Sequence, residues 1–251
     1  MGTLYMGGDS STIAPTVIFS GDPWRVEVVK DYLDKPKKVA FNREFNTYTG
    51  SYKGMPVTVT STGMGAPTAA VAVEEMYASG MRVAIRMGTI MSLDDDMLGE
   101  FFVPVAAMRR EATSDTYVDK SFPAVADIGL INVMNEVVHD YGHRSSNGIS
   151  CSMDGFYTQM HDSKFSREFG RDISKTFNEL HNLHVGGVDM ETSCMLTVCR
   201  LMGVKACSLT VATVLENLKD ALQGKARTDA EDLLCRVALE GAYRYNKRFG
   251  A

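Results

Sequence analysis

Apolar positions along the chain fall into short runs whose spacing switches between strand and helix periods, with glycine or polar residues at the switches. "TVIFS" at 16–20 is a β-branched run of strand type. It breaks at Gly21-Asp22-Pro23 and gives way to Val26, Val29 and Leu33 at helical spacing, so the segment reads as strand, loop, helix. "EFNTYTGSYKGMPVTVTSTG" alternates on both sides of Lys53-Gly54, the pattern of a β-hairpin. A glycine-rich turn follows, then an Ala-rich helix with Pro67 at its first position and Gly80 as its stop. "RVAIRMGT" and "FFVPVAAM" read as two short buried strands, and the spacing predicts a helix over about 126–141, capped by Gly142 and leading into a strand at "NGISCS". "DMETSCMLTVCRLMG" reads as a helix ending at Gly203, "KACSLTVATV" as a strand, and "DAEDLLCRVALEGAYRYNKRF" as a long amphipathic terminal helix. The polar stretches 92–100 and 216–228 read as surface loops.

Strands that alternate with helices imply an α/β fold, with a mixed, largely parallel sheet covered by helices on both faces. With no internal repeat and no low-complexity linker, one domain over residues 1–251 is expected. A hydrophobic content of 45% is enough for a sizeable core. The net charge of −5 gives no general attraction to nucleic acid or an anionic membrane, so any anion site must be a local cluster of arginines. Five cysteines, an odd count with no C-x-x-C, lie in apolar contexts and point to a reducing, cytoplasmic compartment. No apolar run approaches the ~18 residues of a membrane span, and the start of the chain lacks the basic and apolar regions of a secretory leader.

Three short stretches can carry chemistry. In "SGDPWR" a glycine turn at a strand's carboxyl end is followed by Arg25 in the first helical turn, an arrangement that offers N–H groups and a guanidinium to an anion, or simply a tight turn with a solvated arginine. In "RMGT" Arg86 closes an otherwise apolar strand, so it needs a carboxylate or a bound anion as partner. In "VDMET" Glu191 opens an apolar helix, either as a favourable charge at the helix N-terminus or as a fixed acceptor for two sugar hydroxyls. "HNLH" lacks further ligands at zinc spacing, and "DDD" at 94–96 reads as a solvated loop. No Walker-type phosphate loop, dinucleotide glycine turn or serine nucleophile elbow is present.

Taken in order, "GDPWRV", "FNREF", "STGMGAPTAAVAVEEM", "RMGT", "FPAVAD", "NGIS" and "VDMETSCMLTVCRLMG" resemble the nucleoside phosphorylases, most closely the uridine phosphorylase branch. The resemblance implies a single domain with a distorted mixed β-sheet flanked by helices. It also implies phosphate-dependent cleavage of a nucleoside to free base and ribose 1-phosphate, with inorganic phosphate as co-substrate and no metal or organic cofactor. Position by position, it assigns phosphate binding to Gly21, Arg25, Arg43, Arg86 and Thr89 and nucleoside binding to Phe156, Met190 and Glu191, with Arg86 and Glu191 catalytic. Arg43 is expected to reach in from a neighbouring subunit, which makes a homodimer or a higher homo-oligomer the working unit. Three guanidiniums around one phosphate supply forked donors and offset its charge.

The departures from the family pattern cluster at the base. Met160 and Asp162 stand where the uridine branch has the glutamine and arginine that read uracil, with Gln159 one residue away. Ile90 and Met91 replace a threonine and a glycine, and Glu216 in "VATVLEN" matches neither the arginine of the uridine branch nor the aspartate of the purine branch. Tyr5 is only a loose substitute for the histidine that the family's N-terminal segment lends to a neighbouring site. Uridine or a related pyrimidine nucleoside is the favoured substrate. A purine nucleoside phosphorylase and a catalytically weak or silent relative that binds nucleoside or phosphate are the alternatives.

Overall fold

The computed structural model describes residues 3–250. In chain order its strands and helices are β1 (Thr16–Ser20), α1 (Pro23–Lys30), β2 (Asp34–Asn42), β3 (Phe45–Tyr52), β4 (Met55–Ser61), α2 (Ala66–Ala78), β5 (Val83–Ser92), β6 (Phe101–Phe102), β7 (Ala106–Arg110) and β8 (Ala124–Val125). There follow α3 (Ile128–Asp140), β9 (Ser145–Ser146), β10 (Ile149–Met153), α4 (Lys164–Glu168), α5 (Ser174–Asn182), β11 (Val185–Asp189), α6 (Thr192–Leu201), β12 (Lys205–Leu215) and α7 (Gly224–Phe249). The strands form one mixed sheet in the order β2-β3-β4-β1-β5-β11-β10-β7-β8, with β12 branching from β5 and joined by β6 and β9.

Both faces of the central strands are apolar, which is why β1 and β5 are nearly continuous hydrophobic runs rather than alternating ones. Ile18 and Ile85 pack with α1, α3 and α7 on one face, while Val17, Phe19 and Ala84 pack with α2 and α6 on the other. A smaller cluster of Met91, Cys151, Met153, Met160, Phe177 and Leu180 joins β10 and α5 to the end of β5.

The register around β5 creates an opening. β12 runs parallel to β5 along its whole length, from Val83 to Ser92. On the opposite edge β1 pairs only with Val83–Met87, and antiparallel β11 pairs only with Met91 and Ser92. Between these two partners the edge of β5 at Gly88, Thr89 and Ile90 has no strand beside it among the described residues. Strands that part in this way leave a crevice at their carboxyl ends, where ligands of α/β sheets bind.

The structure departs from the sequence pattern at several points. The sheet is mixed as expected but less parallel than its βα alternation implies, with six parallel and five antiparallel pairings among the described residues. "FFVPVAAM" is two strands, β6 and β7, because Pro104 lies between them and cannot donate to a ladder. α1 ends at Lys30, so Leu33 is a buried turn residue. α7 starts at Gly224, inside the stretch read as a loop. Strand β2, "DKPKKVAFN", was not legible because it is a lysine-rich, exposed edge without alternation, a composition that also protects the edge from foreign pairing.

Among the described residues no helix is long and apolar enough to cross a membrane. All five cysteines are free and buried. Burial raises the Cys151 thiol to about 12, which leaves it protonated near neutrality.

Candidate active site

The turn after β1 builds the first wall of the opening. Asp22 caps α1 by accepting a hydrogen bond from Trp24 N at 2.8 Å, and Pro23 starts the helix, so Arg25 is carried back toward the strand end. Its guanidinium is buried at 7% exposure, with Nη1 donating to Ser20 Oγ at 3.2 Å and Nη2 lying 3.3 Å from Glu231 of α7. Arg25 Nε is buried and has no hydrogen-bond partner among the described residues. A buried donor left unpaired is costly, and an incoming anion removes that cost.

Arg86 on β5 is the most enclosed cation of the site, at 6% exposure. Nη2 donates to Glu191 Oε2 at 2.5 Å, and Nη1 lies 3.3 Å from Asp189 Oδ2 and donates to Ser208 Oγ on β12 at 3.4 Å. Burial alone would disfavour its charge, but the carboxylates of Asp189 and Glu191 more than compensate and hold its pKa above the ordinary arginine value. The guanidinium folds over its own strand at Gly88, where a Cβ would collide with Nη1. The glycine in "RMGT" therefore makes room for the arginine two residues earlier.

Glu191 stands at the N-cap of α6, yet its side chain makes no capping bond. Its carboxylate turns away from the helix, accepting from Gly65 N at 2.7 Å while holding Arg86. Asp189, at the end of β11, does the capping instead: it accepts from Thr192 N at 3.3 Å, from Thr192 Oγ1, and from Ser152 Oγ at 2.6 Å. The reading of Glu191 as a helix-terminal charge is thus replaced by one in which two acids two residues apart divide the work. Asp189 fixes the helix and adds its charge beside Arg86, while Glu191 holds the arginine directly and makes no cap.

These side chains open into a cavity of about 630 Å³. Gly21, Arg25, Arg86, Gly88 and Thr89 line its charged part. Met91, Phe156, Met160, Val188 and Val214 line its apolar part, and Met190 joins the two by packing into the same cluster as Phe156 and Met160 while adjoining Glu191. Phe156 opens a single π-helical turn over Phe156–Met160 that projects its ring at the cavity and turns Met160 into the core. Such turns recur where a helix must re-aim side chains at a site.

Of the residues assigned from sequence, Gly21, Arg25, Arg86, Thr89, Phe156, Met190 and Glu191 all border this one cavity, and Arg43 does not. Arg43 sits at the exposed β2–β3 turn with φ of 55°, its guanidinium over the Tyr5 ring at 5.4 Å. Sequence reasoning missed Asp189, Ser208 and Arg227. Asp189 has a legible signal, an aspartate three residues before Thr192 at the mouth of an apolar helix. Arg227 lines the cavity, but its pairing with Glu231 one helical turn away looks from sequence like an ordinary solvated pair. Among the described residues no group of three or more His, Cys, Asp or Glu side chains is placed to hold a metal ion.

Residues 15–240 match the model of the phosphorylase superfamily, and the chain belongs to that family. Within it, the chain is similar to uridine phosphorylases. It is 34% identical to the one from Thermococcus kodakarensis over 77% of this chain and 70% of that protein, and 30% identical to the one from Escherichia coli over 92% of each. It is also 33% identical to a guanosine phosphorylase from Halorubrum lacusprofundi, over 91% of this chain and 88% of that protein. The crystal structure of the uridine phosphorylase from Vibrio fischeri superposes with a TM-score of 0.85 at 29% identity, covering 97% of this chain and 98% of that one.

Proposed function

We propose that the chain is a pentosyltransferase of the nucleoside phosphorylase type, with uridine or a related pyrimidine nucleoside as its favoured substrate. The observation that carries this reading is the buried Arg86 guanidinium, poised between Glu191 and Asp189 beside Arg25 at the mouth of a nucleoside-sized cavity. Gly21, Arg25, Arg86 and Thr89 hold inorganic phosphate, and Glu191 accepts from two ribose hydroxyls while Met190 packs on the sugar. A phosphate oxygen forms a bond to the anomeric carbon as the bond from that carbon to the base nitrogen breaks. The electron pair of the broken bond leaves with the base, the base anion takes up a proton from solvent, and the products are ribose 1-phosphate and the free base. Positive charge grows on the sugar along the way, so the bound phosphate and the Glu191 carboxylate stabilise the transition state more than the ground state.

Phe156 stands against the base. Arg43 completes the phosphate site of a second subunit, which makes a homodimer or higher homo-oligomer the active form, and the protein works in the cytoplasm without a metal or organic cofactor. The direct test supplies purified protein with uridine and inosine, with and without phosphate. Release of ribose 1-phosphate that requires phosphate is the expected result, and no turnover of any nucleoside would sink the reading. Arg43→Ala is expected to weaken phosphate binding while leaving the fold intact. Unchanged phosphate affinity would refute the shared site.

A further inference from the structure

We infer that the base end of this cavity reads no polar edge, so that the enzyme takes nucleosides by ribose and phosphate and accepts pyrimidine, purine and apolar bases with little discrimination. This rests on the nucleoside reading above and narrows its substrate class. Away from the arginines the cavity is lined by Ile90, Met91, Phe156, Met160, Val188 and Val214, where the base would lie, and no side chain among these six offers a strong donor or acceptor.

Glu44 is also on the lining, but it lies against Gly63, whose carbonyl adjoins Gly21 at the charged end, and the other polar groups nearby are engaged with partners of their own. Gln159, the one amide close to the position from which the family reads uracil, accepts from Gly155 N at 2.7 Å and lines a separate surface cavity with Phe165 and Arg171. His161 Nδ1 and the Asp162 N–H both meet Asn217 Oδ1, at 3.0 and 3.1 Å. Glu216 lies 2.6 Å from His181 Nε2. Arg227, the one remaining cation on the lining, is bound to Glu231, and the same Glu231 oxygen lies 3.3 Å from Arg25, which ties Arg227 to the phosphate end. What is left for the base is the unpaired β5 edge at Gly88–Ile90, whose main-chain N–H and C=O groups serve different bases alike.

Methionine makes this wall adaptable as well as apolar. Met64, Met91, Met160 and Met190 all line the cavity, and unbranched thioether side chains repack around rings of different size. A pocket that binds by apolar contact separates related ligands by about 10- to 200-fold, whereas a site that pairs buried polar edges separates them by about 10⁴–10⁵.

Two C-ribosides that cannot be cleaved make the test independent of turnover: pseudouridine, which carries uracil, and the riboside of difluorotoluene, an apolar isostere of thymine. Calorimetry in phosphate is expected to give dissociation constants within about 200-fold of each other, the limit for apolar contact. Rejection of the difluorotoluene riboside by more than that, or binding of neither compound, overturns the inference. In parallel, kcat/KM for uridine, inosine and guanosine should lie within about 200-fold. Turnover confined to one base beyond that range overturns the inference and leaves the phosphorylase reading standing, while matched riboside binding without turnover of any nucleoside supports the inference and removes that reading.

Discussion

The two ends of the cavity are built on opposite principles. At the charged end each group is fixed by a partner of known geometry: Arg86 between Glu191, Asp189 and Ser208, Glu191 against Gly65 N, and Arg25 against Ser20 and Glu231. These residues sit within or at the ends of strands and helices, where the backbone is set by the sheet and the helices packed on it. At the apolar end the walls are flexible methionines, a half-buried phenylalanine and one π-helical turn, with no side-chain hydrogen bond crossing the space among the described residues. Directional groups placed on rigid elements suit a feature every substrate shares, and soft contacts suit a feature that varies.

The sharpest way to break this contrast is to remove Arg86. Arg86→Ala leaves two buried carboxylates facing each other without their cation, and it removes the deepest donor of the proposed phosphate site. Activity should fall about 1,000-fold or more, and unfolding in urea should show a loss of about 3–5 kcal/mol. A variant that retained wild-type stability would mean that Asp189 and Glu191 do not depend on Arg86, and the charged end would not be a preorganised unit. Glu191→Gln is milder, because the amide oxygen still accepts from Gly65 N. It should lower kcat/KM about 100-fold through the nucleoside, while the KM for phosphate stays level or falls, since the carboxylate no longer competes with the anion for Arg86. A phosphate KM that rose as far as the nucleoside KM would move Glu191 out of the ribose role.

The same contrast explains what was legible in the sequence. A charged residue inside an apolar run is costly enough to announce itself, so Arg86 stands out in the amino-acid pattern, although β5 runs on to Ser92 and Arg86 lies within the strand rather than at its end. Arg25 and Glu191 stand out by their places at the start of α1 and α6, and βα alternation is enough for the layers of the fold. The partners that make the site work are harder to see. Asp189 lies 97 positions or more from every residue of β5, and its meeting with Arg86 depends on β11 turning antiparallel at the end of β5, a register no local pattern encodes. The cavity itself follows from the missing partner at Gly88–Ile90, a property of three strands at once. β2 and the start of α7 escape notice for a local reason, since both are polar stretches held by pairing and packing rather than by a periodic apolar face.

Gly88→Ala sharpens the comparison from within the charged end. The added methyl would run into Arg86 Nη1, too close for both to stay, and the guanidinium is the movable partner. Displacing it by about 1 Å should raise the phosphate KM between about 10- and 100-fold with no new charge introduced. Steady-state kinetics with phosphate varied at saturating nucleoside would read this, and an unchanged KM would show that the arginine's position is looser than its contacts with Glu191, Asp189 and Ser208 imply.

The smallest effect belongs to the other end. Met160 is buried against Met91, Met153 and Phe177 while also lining the cavity, so its replacement tests packing and base contact together. Met160→Leu nearly conserves volume and should cost less than about 1.5 kcal/mol. If the base is held by soft contact alone, the wall still closes and kcat/KM should move less than about threefold for uridine and inosine alike. The informative quantity is the ratio between the two substrates. Leucine is stiffer than methionine, so a wall that repacks around each base should lose slightly more of the larger purine than of uridine. A large loss for one base only, with stability unchanged, would mean that Met160 makes a specific contact to that base, and the division between a directional end and an adaptable end would fail at the residue on which it most depends.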